Sequence, residues 1–245
     1  MTFESTGILI IFALFFVAII YSSVGHGGAS GYLAVMALFA VEPDITRPTA
    51  LVLNLFVASI AFVQFYRAGN FDWKIFLSFA AASIPFAFIG GAIHLPTTVY
   101  KMILGITLML AAIRLAINLK SEKEIIAPPI WVCLIIGAIL GLVSGLVGVG
   151  GGIFLTPILL LMNWTETKKA AGISALFILV NSISGLLGNY AQILKLSPRV
   201  WIWIGVAIIG GVIGSTLGSY RFNSLTLRRV LAVGLLIAGV KLIFT

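Results

Sequence analysis

The chain has 245 residues, of which 61% are hydrophobic and 9% charged, with a formal net charge of +8. A soluble domain carries about 25% charged residues, so this chain has too little polar surface to cover a water-soluble globule. That excludes a soluble enzyme, a disordered chain and a nucleic-acid module, and it leaves the scattered Lys and Arg residues as loop charges that set orientation in a membrane.

Apolar runs fall at 7–41, 48–66, 75–95, 99–118, 128–163, 170–192, 200–220 and 226–244. Most have the length, about 20 residues, that an α-helix needs to cross about 30 Å of hydrocarbon. Lipid offers no partner to loose backbone groups, so helices are the expected form. A β-barrel would show short alternating segments, and these runs are apolar all round. The expected fold class is an all-α polytopic membrane protein. The N-terminus has no basic segment and no small-residue cleavage site, so its first run reads as a retained span and not as a signal peptide.

The first run, 7–41, would be about 50 Å long as one straight helix. Glycines interrupt it within Ser22, Ser23, Val24, Gly25, His26, Gly27, Gly28, Ala29, Ser30 and Gly31. The fifth run, 128–163, is equally long and is interrupted between Ser144 and Gly152, where Gly148, Gly150, Gly151 and Gly152 cluster. Each Gly costs about 1 kcal/mol in a helix interior relative to Ala, so both places are expected to unwind. The two places also match each other. Displacement by 123 sets Val24-Gly25-His26-Gly27-Gly28 on Val147-Gly148-Val149-Gly150-Gly151, with four of five positions identical. The match continues, as Thr49-Ala50-Leu51 meets Ser174-Ala175-Leu176 and Lys101 meets Arg228. Residues 1–118 and 130–245 therefore read as two transmembrane repeats of one transport unit, joined by a polar linker at 119–129.

Counting Lys and Arg separates two topologies. If each broken run crosses once, the two sides carry 8 and 7. If each broken run instead enters and leaves on one side, the halves are inverted and the sides carry 10 and 5. The larger set is then Arg67, Lys74, Arg114, Lys120, Lys123, Lys168, Lys169, Arg221, Arg228 and Arg229, and the smaller is Arg47, Lys101, Lys195, Arg199 and Lys241. The second arrangement defines a cytoplasmic side, with both termini outside, and is the expected one.

A helix that restarts after a break points unpaired N–H groups and its positive dipole end into the gap. Such an end binds anions, and glycine lets the anion approach the backbone. Glycines that only let helices pack closely are the competing explanation, but two matched clusters in two overlong runs favour a functional break. All seven acidic residues lie at ends or in loops. A carboxylate inside a span usually marks a cation or proton path, so the pattern points to an anion held by N–H, hydroxyl and amide donors. His26 lies inside the first break, able to hold an anion or relay a proton, while Val149 takes its place in the second. Ser22, Ser23 and Ser144 flank the breaks, and Asn54, Ser174 and Asn181 are mid-run donors; interhelical hydrogen bonding would explain the latter equally well. His94 reads as an interface residue. Cys133 is the only cysteine, so no internal disulfide, no metal cluster and no cofactor are expected. Gly28-Ala29-Ser30-Gly31 matches a GxSG serine-protease pattern, but the counterpart of Ser30 is Ile153, and a hydrolase would need a base within reach of the serine. No ATP-binding motif is present.

The stretch Gly141-Leu-Val-Ser-Gly-Leu-Val-Gly-Val-Gly-Gly-Gly-Ile-Phe-Leu-Thr-Pro157 resembles the glycine motif of the TauE/SafE family of bacterial membrane transporters. Ala171-Gly-Ile-Ser-Ala-Leu176 resembles a second family segment, while His26 and Ala29-Ser30-Gly31 depart from the first-half pattern. The resemblance implies transport of sulfite, thiosulfate, sulfonates or related small anions across a bacterial inner membrane. The expected function is secondary transport by alternating access, with export as the direction and the anion held at the two breaks. An anion channel or importer using the same site, and a serine hydrolase at Ser30, are the rival classes. The expected partners are a small anion and the lipid bilayer, not nucleic acid; a coupling ion (proton or sodium) and homo-oligomerisation stay open at this level.

Overall fold

The computed structural model describes residues 3–116, 125–193, 196, 198–220, 235–237 and 239–244. The described residues hold no strand. Their elements are α1 (Phe3–Ser22), α2 (Ala29–Leu38), α3 (Pro43–Arg67), α4 (Trp73–Ala92), α5 (Thr97–Ala116), α6 (Ile130–Val147), α7 (Gly152–Leu161), α8 (Thr167–Gly188), the single turn α9 (Tyr190–Ile193) and α10 (Arg199–Tyr220). A last helical stretch covers the described part of 235–244. Five helices, α3, α4, α6, α8 and α10, are long and apolar enough to cross a membrane. Most of the linker, and the charges at Lys120, Lys123, Lys195, Arg221, Arg228 and Arg229, lie outside the described residues.

Both overlong runs are broken at the glycines. The chain leaves α1 through a turn in which His26 N donates to Tyr21 O at 2.9 Å. It then doubles back, so that Ser30 Oγ donates to the Tyr21 hydroxyl at 3.0 Å and Gly31 lies against Val17. In one straight helix Val17 and Gly31 would be about 21 Å apart. In the second run Gly151 lies beside Leu140, a pair that a straight helix would hold about 16 Å apart.

Small residues fix the helix crossings. Gly137, Gly141 and Gly145 of α6 sit against the backbone of Phe79, Ser83 and Ala87, so α6 and α4 run parallel. Gly210, Gly214 and Gly218 of α10 sit against Phe15, Ile19 and Ser23, so α10 and α1 run parallel as well. Each set has a four-residue period, which puts one bare stripe on one helix face and lets the backbones touch. At these two crossings glycine serves packing alone.

α3 and α8 run antiparallel: Leu51 faces Gly185, Asn54 faces Ser182 and Phe65 faces Gly172. Gly105 of α5 likewise faces Gly239 and Ile243, while Met109 faces Gly239. These contacts sort the ends of the molecule. Asn70, in the turn between Arg67 and Lys74, touches Gly172, next to Lys168 and Lys169, and Lys168 Nζ donates to Ser219 O at 3.3 Å. At the other end Lys241 Nζ donates to Leu38 O at 3.0 Å, and Lys241 and Lys101 line one cavity. An aromatic cluster of Phe62, Tyr66, Phe71, Trp73 and Phe76 packs edge to face at the first end. Tyr66 and Trp73 are about half exposed there, the placement that amphipathic rings take at a membrane surface.

Candidate functional site

The site is built from the two helix restarts. α2 begins after Gly28 (φ 96°) and α7 after Gly151 (φ 77°), and no side chain caps either start. Both glycines adopt the left-handed conformation that side chains with a Cβ avoid. The first N–H groups of a helix have no i−4 acceptor; at α7 Phe154 N turns back to Gly151 O at 3.1 Å, so the leading donors are the N–H groups ahead of it, and each start presents a positive dipole end.

The restarts converge. Gly27 of the first break and Gly150 of the second both lie against the Asn54 amide of α3 and against Ile178 of α8, and Gly152 also touches Ile178. Asn54 is fully buried. Its Nδ2 donates to Ser182 Oγ at 3.2 Å and lies 3.5 Å from Val149 O, and its Oδ1 faces Gly27 with no hydrogen-bond partner among the described residues. The outer glycines make a reciprocal pair of contacts. Gly25 packs on the Ala171 backbone at the start of α8, and Gly148 packs on Arg47 at the start of α3.

A hydrogen-bonded chain links the halves beside this meeting point. His26 Nε2 lies 3.0 Å from Thr156 Oγ1, which lies 2.7 Å from Ser174 Oγ. All three residues are buried, and the His26 ring stands edge-on to Tyr21. Thr156 is thus the bridge between the first break and α8.

The predicted residues separate by what they touch. Gly27 and Gly150 meet Asn54 directly, Gly152 meets Ile178 and the Ser174 carbonyl, and His26 and Ser174 join through Thr156. Gly28 faces the Tyr32 ring and hydroxyl, and Gly151 faces Phe177. Ser144 Oγ is buried without a partner among the described residues, and Ser144 O accepts from Gly148 N at 2.8 Å. Three residues face helix packing. Ser22 Oγ donates to Gly211 O at 2.8 Å, Ser23 Oγ to Ile20 O at 2.7 Å, and Asn181 Oδ1 accepts from Ser83 Oγ at 2.6 Å.

Arg47 stands out among the residues that sequence reasoning placed elsewhere. It reads as a loop charge before Pro48, yet its guanidinium is buried inside α3. It donates to Gly90 O at 2.7 Å, Gly91 O at 2.6 Å and Ile93 O at 3.1 Å. These carbonyls close the C-terminus of α4, where a cation is favoured by the dipole. The residue that makes the equivalent contact in the other half, on Gly25, is Ala171, so the second break packs on the stem and backbone of an arginine and the first on an alanine.

The comparisons with known proteins agree with this architecture. The sequence profile of the family described as Sulfite exporter TauE/SafE matches residues 10–242. The chain belongs to the TauE/SafE family. It is 37% identical to the probable membrane transporter protein y4hK of Sinorhizobium fredii, over 98% of this chain and 99% of that one. It is 31% identical to a probable membrane transporter protein of Methanocaldococcus jannaschii, over 73% of this chain and 70% of that one. A third similar protein, the probable membrane transporter protein YjnA of Bacillus subtilis, is 24% identical over 93% of this chain and 96% of its own. No solved structure matches the chain. This TauE/SafE member is therefore a multi-pass membrane transporter, and its two glycine breaks meet in the interior.

Proposed function

We propose that the protein is a secondary transporter of a small anion, with sulfite, thiosulfate, sulfonates and related organic anions as the substrate class and export as the direction. The carrying observation is the convergence of two uncapped helix starts, α2 and α7, on Asn54 and Ile178. Bare N–H groups and two positive dipole ends favour negative charge. Among the described residues no Asp or Glu is buried, whereas Arg47 is, so the charged side chain nearest the second break has the right sign for an anion. The backbone of Gly25, Gly27, Gly28, Gly148, Gly150, Gly151 and Gly152 shapes the two ends, and His26, Asn54, Ser144 and Ser174 complete the polar shell. Ser22, Ser23 and Asn181 contribute by holding the helices that carry it.

We further infer that the two halves are inverted repeats. Equivalent helices run antiparallel, and Arg67, Lys74, Lys168 and Lys169 gather at one end, which supports the topology with the larger basic count on one side. That end is assigned to the cytoplasm of a bacterial inner membrane. Inversion supplies alternating access, because exchanging the conformations of the two halves opens the shared site to the opposite side.

Purified protein reconstituted in vesicles tests the proposal. Saturable uptake of sulfite or a sulfonate is expected in the wild type and is expected to be lost in Gly150→Val, whose side chain would fill the space against Asn54 and Ile178. Undiminished flux in folded Gly150→Val overturns the site. Conductance that rises with concentration without saturating would identify a channel instead.

A further inference from the structure

The polar atoms at the two breaks are unequal. The second break faces a donor, as Gly150 lies against Asn54 Nδ2. The first faces an acceptor: Asn54 Oδ1, fully buried, directed at Gly27 and without a hydrogen-bond partner among the described residues. Turning the amide round would set Oδ1 against the Val149 carbonyl, 3.5 Å away, which disfavours it. Val149 O only accepts, so it takes the Nδ2 side, and Oδ1 is left toward the first break. Beside it the Tyr32 hydroxyl, buried and likewise without a partner among the described residues, lies against Gly28. The residue that meets both breaks from the other half is Ile178, which has no polar atom, so no matching acceptor comes from that side.

A buried acceptor left without a donor is destabilising. A fully anionic ligand cannot relieve it, because an oxyanion offers acceptors only. We infer that the substrate is an anion that carries its own hydrogen-bond donor, and that Asn54 Oδ1 receives that donor while the helix starts hold the negative charge. The donor is either the proton of a monoprotonated oxyanion, such as hydrogensulfite, or a hydroxyl group on a small sulfonate. This inference rests on the anion site proposed above and deepens it: Asn54 selects the donor-bearing form, between sulfonates of equal charge and similar size and between hydrogensulfite and sulfite.

The test measures binding to the full-length purified protein in two arms. One compares isethionate (2-hydroxyethanesulfonate) with ethanesulfonate, which share a charged group and differ by one hydroxyl. The other compares sulfite below and above the pH at which hydrogensulfite loses its proton. A preference of about tenfold or more for the donor-bearing form in either arm is expected, and the arm that shows it names the source of the donor. The preference should fall to about onefold in Asn54→Leu and persist in part in Tyr32→Phe. Equal binding within both pairs overturns the inference and leaves the anion site standing. No binding of any of these anions overturns both. A preference that survives unchanged in Asn54→Leu overturns the assignment to Asn54. The wild-type ratios decide the inference even where Asn54→Leu does not fold.

Discussion

Thr156 shows what a single hydroxyl does in this interior. It connects His26 to Ser174 across the two halves, at 3.0 and 2.7 Å. Thr156→Val keeps the shape and removes both of these bonds and a third, the donation from Thr156 Oγ1 to Gly152 O at 3.2 Å, so it should lower stability by about 1–3 kcal/mol, read as a lower thermal midpoint in detergent. An unchanged midpoint would deny the bridge its role. Gly25 gives the backbone counterpart. It sits at φ 75° with the Ala171 backbone where a Cβ would be. Gly25→Ala is expected to cost at least about 1–3 kcal/mol in strain alone, whereas Gly205→Ala, in α10 with nothing within 4 Å, should be neutral or stabilising by about 0.4–1 kcal/mol. The break glycines were legible in the sequence because four together cannot be an accident of composition in a helix. Thr156 was not legible, because one threonine in an apolar run gains meaning only when α7 is laid against the first break. Asn181 misled for the complementary reason. A buried amide is satisfied as well by a neighbouring helix as by a ligand, and here Ser83 takes it.

At the level of helices, glycine has two jobs that spacing separates. In α6 and α10 it recurs every fourth residue and makes a flat stripe; at the breaks it clusters and reverses the chain. Gly141→Leu should therefore behave unlike Gly150→Val. It would drive α6 off the Ser83 backbone of α4 and cost about 1–3 kcal/mol or more as overpacking, seen as loss of the folded fraction on size exclusion. A variant at Gly150 (φ 81°) carries about 1–3 kcal/mol of backbone strain as well, so its binding is read on the folded fraction, where loss of the anion is expected. Arg47 belongs to this scale as well, since it closes the C-terminus of α4 from within α3. Arg47→Lys should not replace it, because one ammonium cannot match a planar fork that meets three carbonyls. Its burial was hidden by Pro48, which reads as the first residue of a helix and places Arg47 outside; in fact α3 begins at Pro43, so Arg47 lies one turn inside.

For the whole molecule, the repeat predicts sidedness. Arg67, Lys74, Lys168 and Lys169 lie at one end, and Lys101 and Lys241 at the other. In a background with Cys133 replaced by Ser, single cysteines at Lys74 and Lys169 should react with an impermeant thiol reagent from the same face of the membrane, and one at Lys101 from the opposite face. Labelling of Lys74 and Lys169 positions from opposite faces would contradict the inverted arrangement. The charge count alone favoured this arrangement only after assuming that each broken run turns back; the contacts of Gly31 with Val17 and of Gly151 with Leu140 support that assumption. The reversal itself could not be read from composition, since a hairpin and a kinked span contain the same residues.

The central claim is that two uncapped helix starts, brought together at Asn54 and Ile178, hold an anion through their backbone N–H groups. The most direct measurement is an anomalous difference map, at the selenium edge, of crystals equilibrated with selenite, the heavier congener of sulfite. The account predicts a single strong peak between the first turns of α2 and α7, within hydrogen-bond distance of their leading amides. A peak seated instead among Lys101, Lys241 and Tyr100, or no peak between the helix starts in crystals that bind selenite in solution, would contradict it.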